Sequence, residues 1–208
     1  MVYFRSVSTP PANKSERTRR FIIEKVAPVF NKKGYAGTSI ADLTTATGLT
    51  KGSIYGNFRN KEEVAIRAFD YNVGMIIDRL KAHRRGAVSA VDRLLAYPKT
   101  YRDLYRRILG IGGCPILNTA MDADHTHSGL HALAVARIGI WKQDIVTTVE
   151  RGKIDKEILP STDGEKIAAT IIVLIEGGSA MAKTTGDHTY IVHAVEGIEA
   201  LIETIRIR

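Results

Sequence analysis

Apolar side chains in this chain recur at intervals of three and four residues, the spacing that puts them on one side of an α-helix. The pattern is clearest near the C-terminus. Ile167, Ile171, Leu174, Gly178 and Met181 follow it, and Ile191, Val195, Ile198, Ile202 and Ile205 repeat it. It predicts helices over about 163–184 and 188–206. Strand-like alternation is scarce throughout, so the fold class expected is all-α. Two neighbouring stripes of this kind imply a bundle. They carry more apolar surface than two helices need to cover one another, so a homodimer through these two helices is expected. Gly177, Gly178, Ser179 and Ala180 are small enough to let another helix come close.

Upstream, the same reading predicts a first helix over about 15–33, ended by Gly34, with Ile22, Val26, Val29 and Phe30 facing inward. Pro28 removes a backbone donor and should kink that helix near Glu24. Two short helices follow, about 39–46 and 50–57, separated by Gly48. A long helix runs from Lys61 to about Arg84, with Ile66, Phe69, Val73, Ile76 and Leu80 along one side. Further helices are expected over about 88–109, from Pro115, and over about 129–151. The division this implies is an arm over 1–14, a domain of short helices over 15–60, and a larger helical domain over 61–208.

The charge is uneven. The first 60 residues hold ten Lys or Arg against three Asp or Glu, a net +7 of the chain's total of +8. An N-terminal segment that meets a polyanion, followed by a nearly neutral body, is the expectation. No apolar core of a secretory signal lies near the N-terminus. The longest apolar run, Ile167–Ile175, is about half the ~20 residues of a membrane span, so no membrane partner is expected. With one cysteine, Cys114, no internal disulfide is possible, and a cytoplasmic location is expected.

The stretch Thr38–Phe58 carries the most specific information. Thr38 or Ser39 can cap a short helix, Ile40 and Leu43 point inward, and Gly48 supplies a turn open to positive φ. Leu49 plugs the corner, Thr50 caps a second helix, and Ile54 and Phe58 anchor it. Helix, tight turn, helix is the unit that places its second helix in the DNA major groove. The exposed face of that second helix would show Thr50, Lys51, Ser53, Tyr55 and Asn57, donors and acceptors with no carboxylate to repel phosphate.

With its neighbours, this stretch resembles the tetracycline-repressor (TetR) family of bacterial transcription factors. The matching residues run Phe30-Asn31-Lys32-Lys33-Gly34-Tyr35, Thr38-Ser39-Ile40-Ala41-Asp42-Leu43, Gly48-Leu49-Thr50-Lys51-Gly52-Ser53-Ile54-Tyr55 and Phe58-Arg59-Asn60-Lys61-Glu62-Glu63. The resemblance implies a three-helix helix-turn-helix head on a helical ligand-binding and dimerisation body. It also implies a double-stranded operator and a small-molecule effector as partners, with no cofactor. Thr38 would bind a phosphate, Lys51, Gly52 and Ser53 would open the recognition helix, Tyr55 would reach a phosphate, and Lys61 would grip the backbone. Two positions depart from the family pattern. Thr44 stands where alanine is common, so its hydroxyl needs a backbone carbonyl. Asn57 stands where histidine or tyrosine is frequent, and its amide suits adenine. Gly113-Cys114-Pro115 and the residues after it resemble a subgroup with a glycine-cysteine pair before the sixth helix.

Other residues offer chemistry of their own. Tyr101, Arg102, Tyr105, Ile116, Leu117, Asn118, Met121 and Trp141 are the expected effector-pocket residues, with Arg102 and Asn118 orienting the ligand. Cys114, beside a helix start, is a redox or electrophile-sensing alternative to that pocket. Asp122, Asp124, His125, His127 and His131 crowd together, but no third ligand is fixed by the spacing of the His127/His131 pair, and no metal site is assigned. Phosphate-loop, nucleophile-elbow and zinc-protease signatures are absent from the sequence, so an enzyme is not expected.

Overall fold

A computed structural model describes residues 14–207. Among them the regular structure is helical: α1 (Lys14–Gly37), α2 (Ile40–Thr47), α3 (Lys51–Tyr55), α4 (Lys61–Arg84), α5 (Ala90–Gly110), α6 (Pro115–Ala123), α7 (Ser128–Ile154), α8 (Gly164–Thr185) and α9 (Thr189–Ile205). The expected arm over 1–14 lies outside the described residues except for Lys14, which opens α1. Helical dihedral angles run through Pro28 and break at Gly34 (φ 72°), so the first helix proper ends where the sequence predicts.

The chain folds into two compact units that are not contiguous in sequence. One takes the chain up to Asp78 together with Pro115–Ala134; the other takes Arg79–Cys114 and everything from Val135. A single boundary after residue 60 does not describe this grouping, because α6 and the start of α7 return to the first unit.

The first unit is built around Ile22, Ile23, Val26, Ala27 and Phe30 of α1. Leu43 of α2, Ile54 of α3 and Phe58 just after it pack on them, with Val64, Ala65 and Ala68 of α4 and Leu130 at the start of α7. Asn72 is buried among them, and its amide donates to the Ala27 carbonyl (2.9 Å). α6 lies against α1.

In the second unit α8 and α9 pair, and α5 packs on both. Ile167, Ile171, Ile175 and Ala182 of α8 are buried, as are Ile191, Val195, Ile198, Ile202 and Ile205 of α9. The helices meet most tightly at Gly178, where an added Cβ would lie 2.7 Å from Ala194 Cβ and 3.1 Å from the Tyr190 carbonyl oxygen. α8 is apolar on a second side too. Val173 is 68% exposed and Met181 42%, so Met181 points outward rather than completing the buried stripe. Length and composition alone would let α8 cross a membrane. Beyond α9 the chain is pinned to the α7–α8 loop by Leu159 N–H to the Ile205 carbonyl (2.8 Å) and Ile207 N–H to the Glu157 carbonyl (2.9 Å).

Gly178→Val forces branched methyl groups into the backbone of α9. Overpacking of this kind costs about 1–3 kcal/mol. Urea titration should show the loss, whereas Gly177→Ala, at a position facing open space, should not reduce stability.

Candidate functional site

The helix-turn-helix is assembled by local hydrogen bonds that the sequence encodes. Ser39 Oγ accepts from Asp42 N–H (3.1 Å), and the Asp42 carboxylate accepts from Ser39 N–H (2.8 Å), a reciprocal cap on α2. Lys33 donates to the same carboxylate (2.6 Å), and this bond, with those from Ser39, holds Asp42 far below the usual carboxylate range. Thr44, the unusual residue in α2, satisfies its hydroxyl on the Ala41 carbonyl (3.0 Å). Gly48, left-handed at φ 69°, ends α2 by donating to the Thr44 carbonyl (2.8 Å). Thr50 then caps α3 by accepting from Ser53 N–H (3.2 Å).

Ile54 and Phe58 hold α3 in the core, leaving Thr50, Lys51 and Gly52 exposed and Ser53, Tyr55 and Asn57 half-buried. A Cβ at Gly52 would have Thr50 Oγ1, at 4.0 Å, as its nearest protein atom outside the helix backbone. The fold itself therefore does not demand glycine there. The Asn57 amide donates one N–H to the Ser53 carbonyl (2.9 Å), which leaves its second N–H and its side-chain oxygen to offer outward. Burial pushes the Tyr55 phenol above its ordinary pKa, so it stays a neutral hydroxyl.

Two expected phosphate ligands also make bonds within the head. Thr38 is 1% exposed, and its hydroxyl donates to the Gly34 carbonyl (2.6 Å), so it closes the turn after α1. Lys61 is half-buried and donates to the Tyr35 carbonyl (2.6 Å), with its ammonium 4.4 Å from the centre of the Tyr35 ring. Desolvation lowers its pKa against the pull of Asp122 and Asp42. Both residues help to build the head.

The N-terminal charge is partly committed to the head as well. Arg19 sits over the Phe58 ring (4.4 Å), donates to the Asn57 carbonyl, and pairs with Glu63 (2.8 Å). Glu63 also accepts from Arg59 N–H (2.8 Å). That bond first, and Arg19 second, bring its pKa down to about 2. Lys14, Arg17, Lys25, Lys32 and Lys51 remain exposed.

Asp122 and Asn118 take roles that the sequence did not reveal. Asp122 accepts from Tyr35 N–H (2.8 Å), and its carboxylate fills the space where a Cβ on Gly34 would be, at 2.0 Å. Asn118 donates to the Asn31 carbonyl (3.2 Å). The cavity beside them is about 30 Å³, room for a water and not for an effector. His127 caps α7 by accepting from Leu130 N–H (3.1 Å) and faces Glu62 (3.4 Å). His131 and His125 both face Asp124, at 3.4 and 3.3 Å. Among the described residues no group of three or more His, Cys, Asp or Glu is placed to hold a metal ion.

The expected effector residues are divided between the two units. Met121 is 74% exposed, which rules it out as a cavity wall in this structure. Ile116, Leu117 and Asn118 belong with it to α6 and the first unit. Arg102 makes a two-pronged pair with Glu199 of α9, 2.7 Å on each arm, and is exposed there, so it does not orient a buried ligand. Tyr105 sits edge-on to His188.

Tyr101 and Trp141 do come together. Their rings stack at 6.1 Å, and Tyr97 stacks on the other pairing of Trp141 at 6.2 Å. Tyr97 donates to Asp144 (2.5 Å), which also takes Arg84 (2.7 Å). Burial alone would raise the Asp144 carboxyl; the Arg84 pairing outweighs it and leaves the carboxylate below its usual range. Beside Tyr101, Cys114 donates its thiol to Glu176 Oε1 (2.9 Å). Cys114 is 3% exposed. Burial raises Glu176 to about 7, opposed by the bond from Cys114. Glu176 was missed in the sequence, yet it is the one charged residue between Lys166 and Lys183.

These observations define a helix-turn-helix DNA-binding head on an all-helical body. The family model described as "Bacterial regulatory proteins, tetR family" matches residues 22–68, and that described as "Tetracyclin repressor-like, C-terminal domain" matches residues 90–198. The chain belongs to the TetR family of transcriptional regulators. A TetR-family regulator from Cytophaga hutchinsonii has a crystal structure similar to it, with a TM-score of 0.86 and 46% identity over 96% of this chain and 100% of that one. The regulator YxaF of Bacillus subtilis is 24% identical over 89% of this chain and 95% of its own. YerO of the same organism matches over the head, 35% identical over 60 residues; the chain spans 21% of that protein.

Glu176 carries a pH signature. Its folded-state pKa of about 7 lies above the unfolded carboxylate value near 4.3, so the folded state holds this proton more tightly. Its contribution to stability is present below about pH 4.3 and lost as pH rises through 7. The stability of wild type minus that of Glu176→Gln should therefore fall by roughly 4 kcal/mol over that window. Chemical denaturation of both proteins at several pH values checks this, and parallel curves would refute it.

Proposed function

We propose that the protein is a dimeric, ligand-responsive transcriptional repressor that acts on DNA in the cytoplasm. Each head would place α3 in a major groove, and two heads would read a near-palindromic operator with half-sites about one helical turn, ~34 Å, apart. A small-molecule effector bound by the body would release the DNA through reciprocal linkage, typically 1–3 kcal/mol. The observation that carries this reading is the outer face of α3. It is polar and free of carboxylates, and it contains a glycine for which nothing inside the protein calls. A backbone that must approach another molecule closely explains that glycine. Repression is the habit of the family, and the second apolar side of α8, around Val173 and Met181, supports pairing of two chains there.

Gly52→Ala separates reading from folding. Alanine in a helix should stabilise the protein by about 0.5–1 kcal/mol, while operator binding is lost. Lys51→Ala should weaken binding to all sequences and reduce the salt slope by about one. Gel shifts on the DNA upstream of the protein's own gene, over a range of salt, measure both. Equal affinity for that DNA and for random DNA at matched salt would instead indicate a non-specific binder.

Val173→Glu puts a charge into the proposed dimer face. Light scattering should then report monomers where the wild type reports dimers, with helical content unchanged.

A further inference from the structure

Four segments of the second unit bring their side chains to one place: Tyr101 of α5, Cys114 just after it, Trp141 of α7 and Glu176 of α8. Tyr101 stacks on Trp141 and lies within electrostatic reach of Cys114 and Glu176. Two polar atoms in this group are buried and have no hydrogen-bond partner among the described residues: Glu176 Oε2, an acceptor, and Trp141 Nε1, a donor. Buried polar atoms of native proteins are nearly always satisfied. The other Glu176 oxygen already takes the Cys114 thiol. Burial pushes this carboxyl up, and the bond from the Cys114 thiol opposes it. The aromatic rings of Trp141 and Tyr101 are surfaces that attract positive charge, whereas the Tyr97 ring already faces the Arg84 guanidinium, 5.0 Å away.

We infer that this group is an effector site for a protonated primary or secondary amine, with the ammonium donating to Glu176 Oε2 and an acceptor on the ligand meeting Trp141 Nε1. A neutral donor would satisfy Oε2 but leave the carboxyl without a counter-charge. A quaternary ammonium would supply charge but no N–H. An acid would be repelled. The inference rests on the reading of the protein as an effector-responsive repressor and names the chemistry of its ligand.

Trp141 is the only tryptophan in the chain, so its fluorescence reports on this site alone. Full-length protein is titrated with phenethylammonium, with the neutral 2-phenylethanol, with tetramethylammonium and with 3-phenylpropionate. The amine should bind at least about tenfold more tightly than each of the others. Its affinity should rise between pH 6 and 8 as Glu176 ionises. Glu176→Gln, which keeps the shape and removes the charge, should cancel both the preference and the pH dependence, and circular dichroism verifies that it folds. Equal binding of amine and alcohol, a preference for the acid, no fluorescence response to the amine at millimolar concentration, or an unaltered preference in Glu176→Gln overturns the inference. Operator gel shifts on the same samples keep the two readings apart. Specific operator binding with no amine effect leaves the repressor and removes the amine site. Failure to bind operator at all removes the repressor reading, while the fluorescence titration still decides the site.

Discussion

The position of the DNA-reading helices depends on how the chain turns at Gly34 and Tyr35. Both backbone polar groups of Tyr35 are held by side chains from distant parts of the sequence: its N–H by Asp122 of α6, its carbonyl by Lys61 of α4. Gly34 makes this possible in two ways. Its positive φ turns the chain out of α1, and its missing Cβ is the space that Asp122 occupies. Thr38 then ties the exit of the turn to the Gly34 carbonyl, and the cap at Ser39 starts α2 from a defined place. A short helix such as α3, with five residues, has no stability of its own. It is held by Ile54 and Phe58 and by this anchored corner behind it.

The corner also explains why α6 counts with the head. The chain passes from the second unit to the first at Cys114–Pro115, and Asn118 and Asp122 follow within α6. A movement of the chain at Cys114 therefore has a covalent route to the two residues that hold α1 and Tyr35. Cys114 is itself bonded to Glu176, the residue at the heart of the proposed ligand site. A ligand on the free oxygen of Glu176 acts on the same carboxyl that the thiol holds by the other, and Cys114 directly precedes α6.

Much of this was legible in the sequence where the governing contacts are local. The helix spans follow apolar spacing, and Gly48, Ser39 and Thr50 act through neighbours a few residues away. The family motif likewise located the outer face of α3. Long side chains with distant partners were not legible. Lys61 and Thr38 look like exposed ligands in a motif, but Lys61 bonds a carbonyl 26 residues away and Thr38 is buried by that same corner. Arg102 looks like a pocket residue until Glu199, 97 positions on, takes it. Spacing gives the face of a helix, and the fold decides what stands opposite that face.

Glu176 shows what a sequence can signal without explaining. A carboxylate amid Ile171, Leu174, Ile175 and Gly178 breaks the pattern that builds α8, and nothing in the stripe compensates for it. Evolution of a plain dimerisation helix would favour an apolar side chain there, since burying a carboxyl costs free energy unless a partner meets it. The Cys114 thiol is a weak donor and satisfies one oxygen of two. A residue that weakens the resting fold in this way is expected at a functional site, where the missing partner arrives from outside the chain.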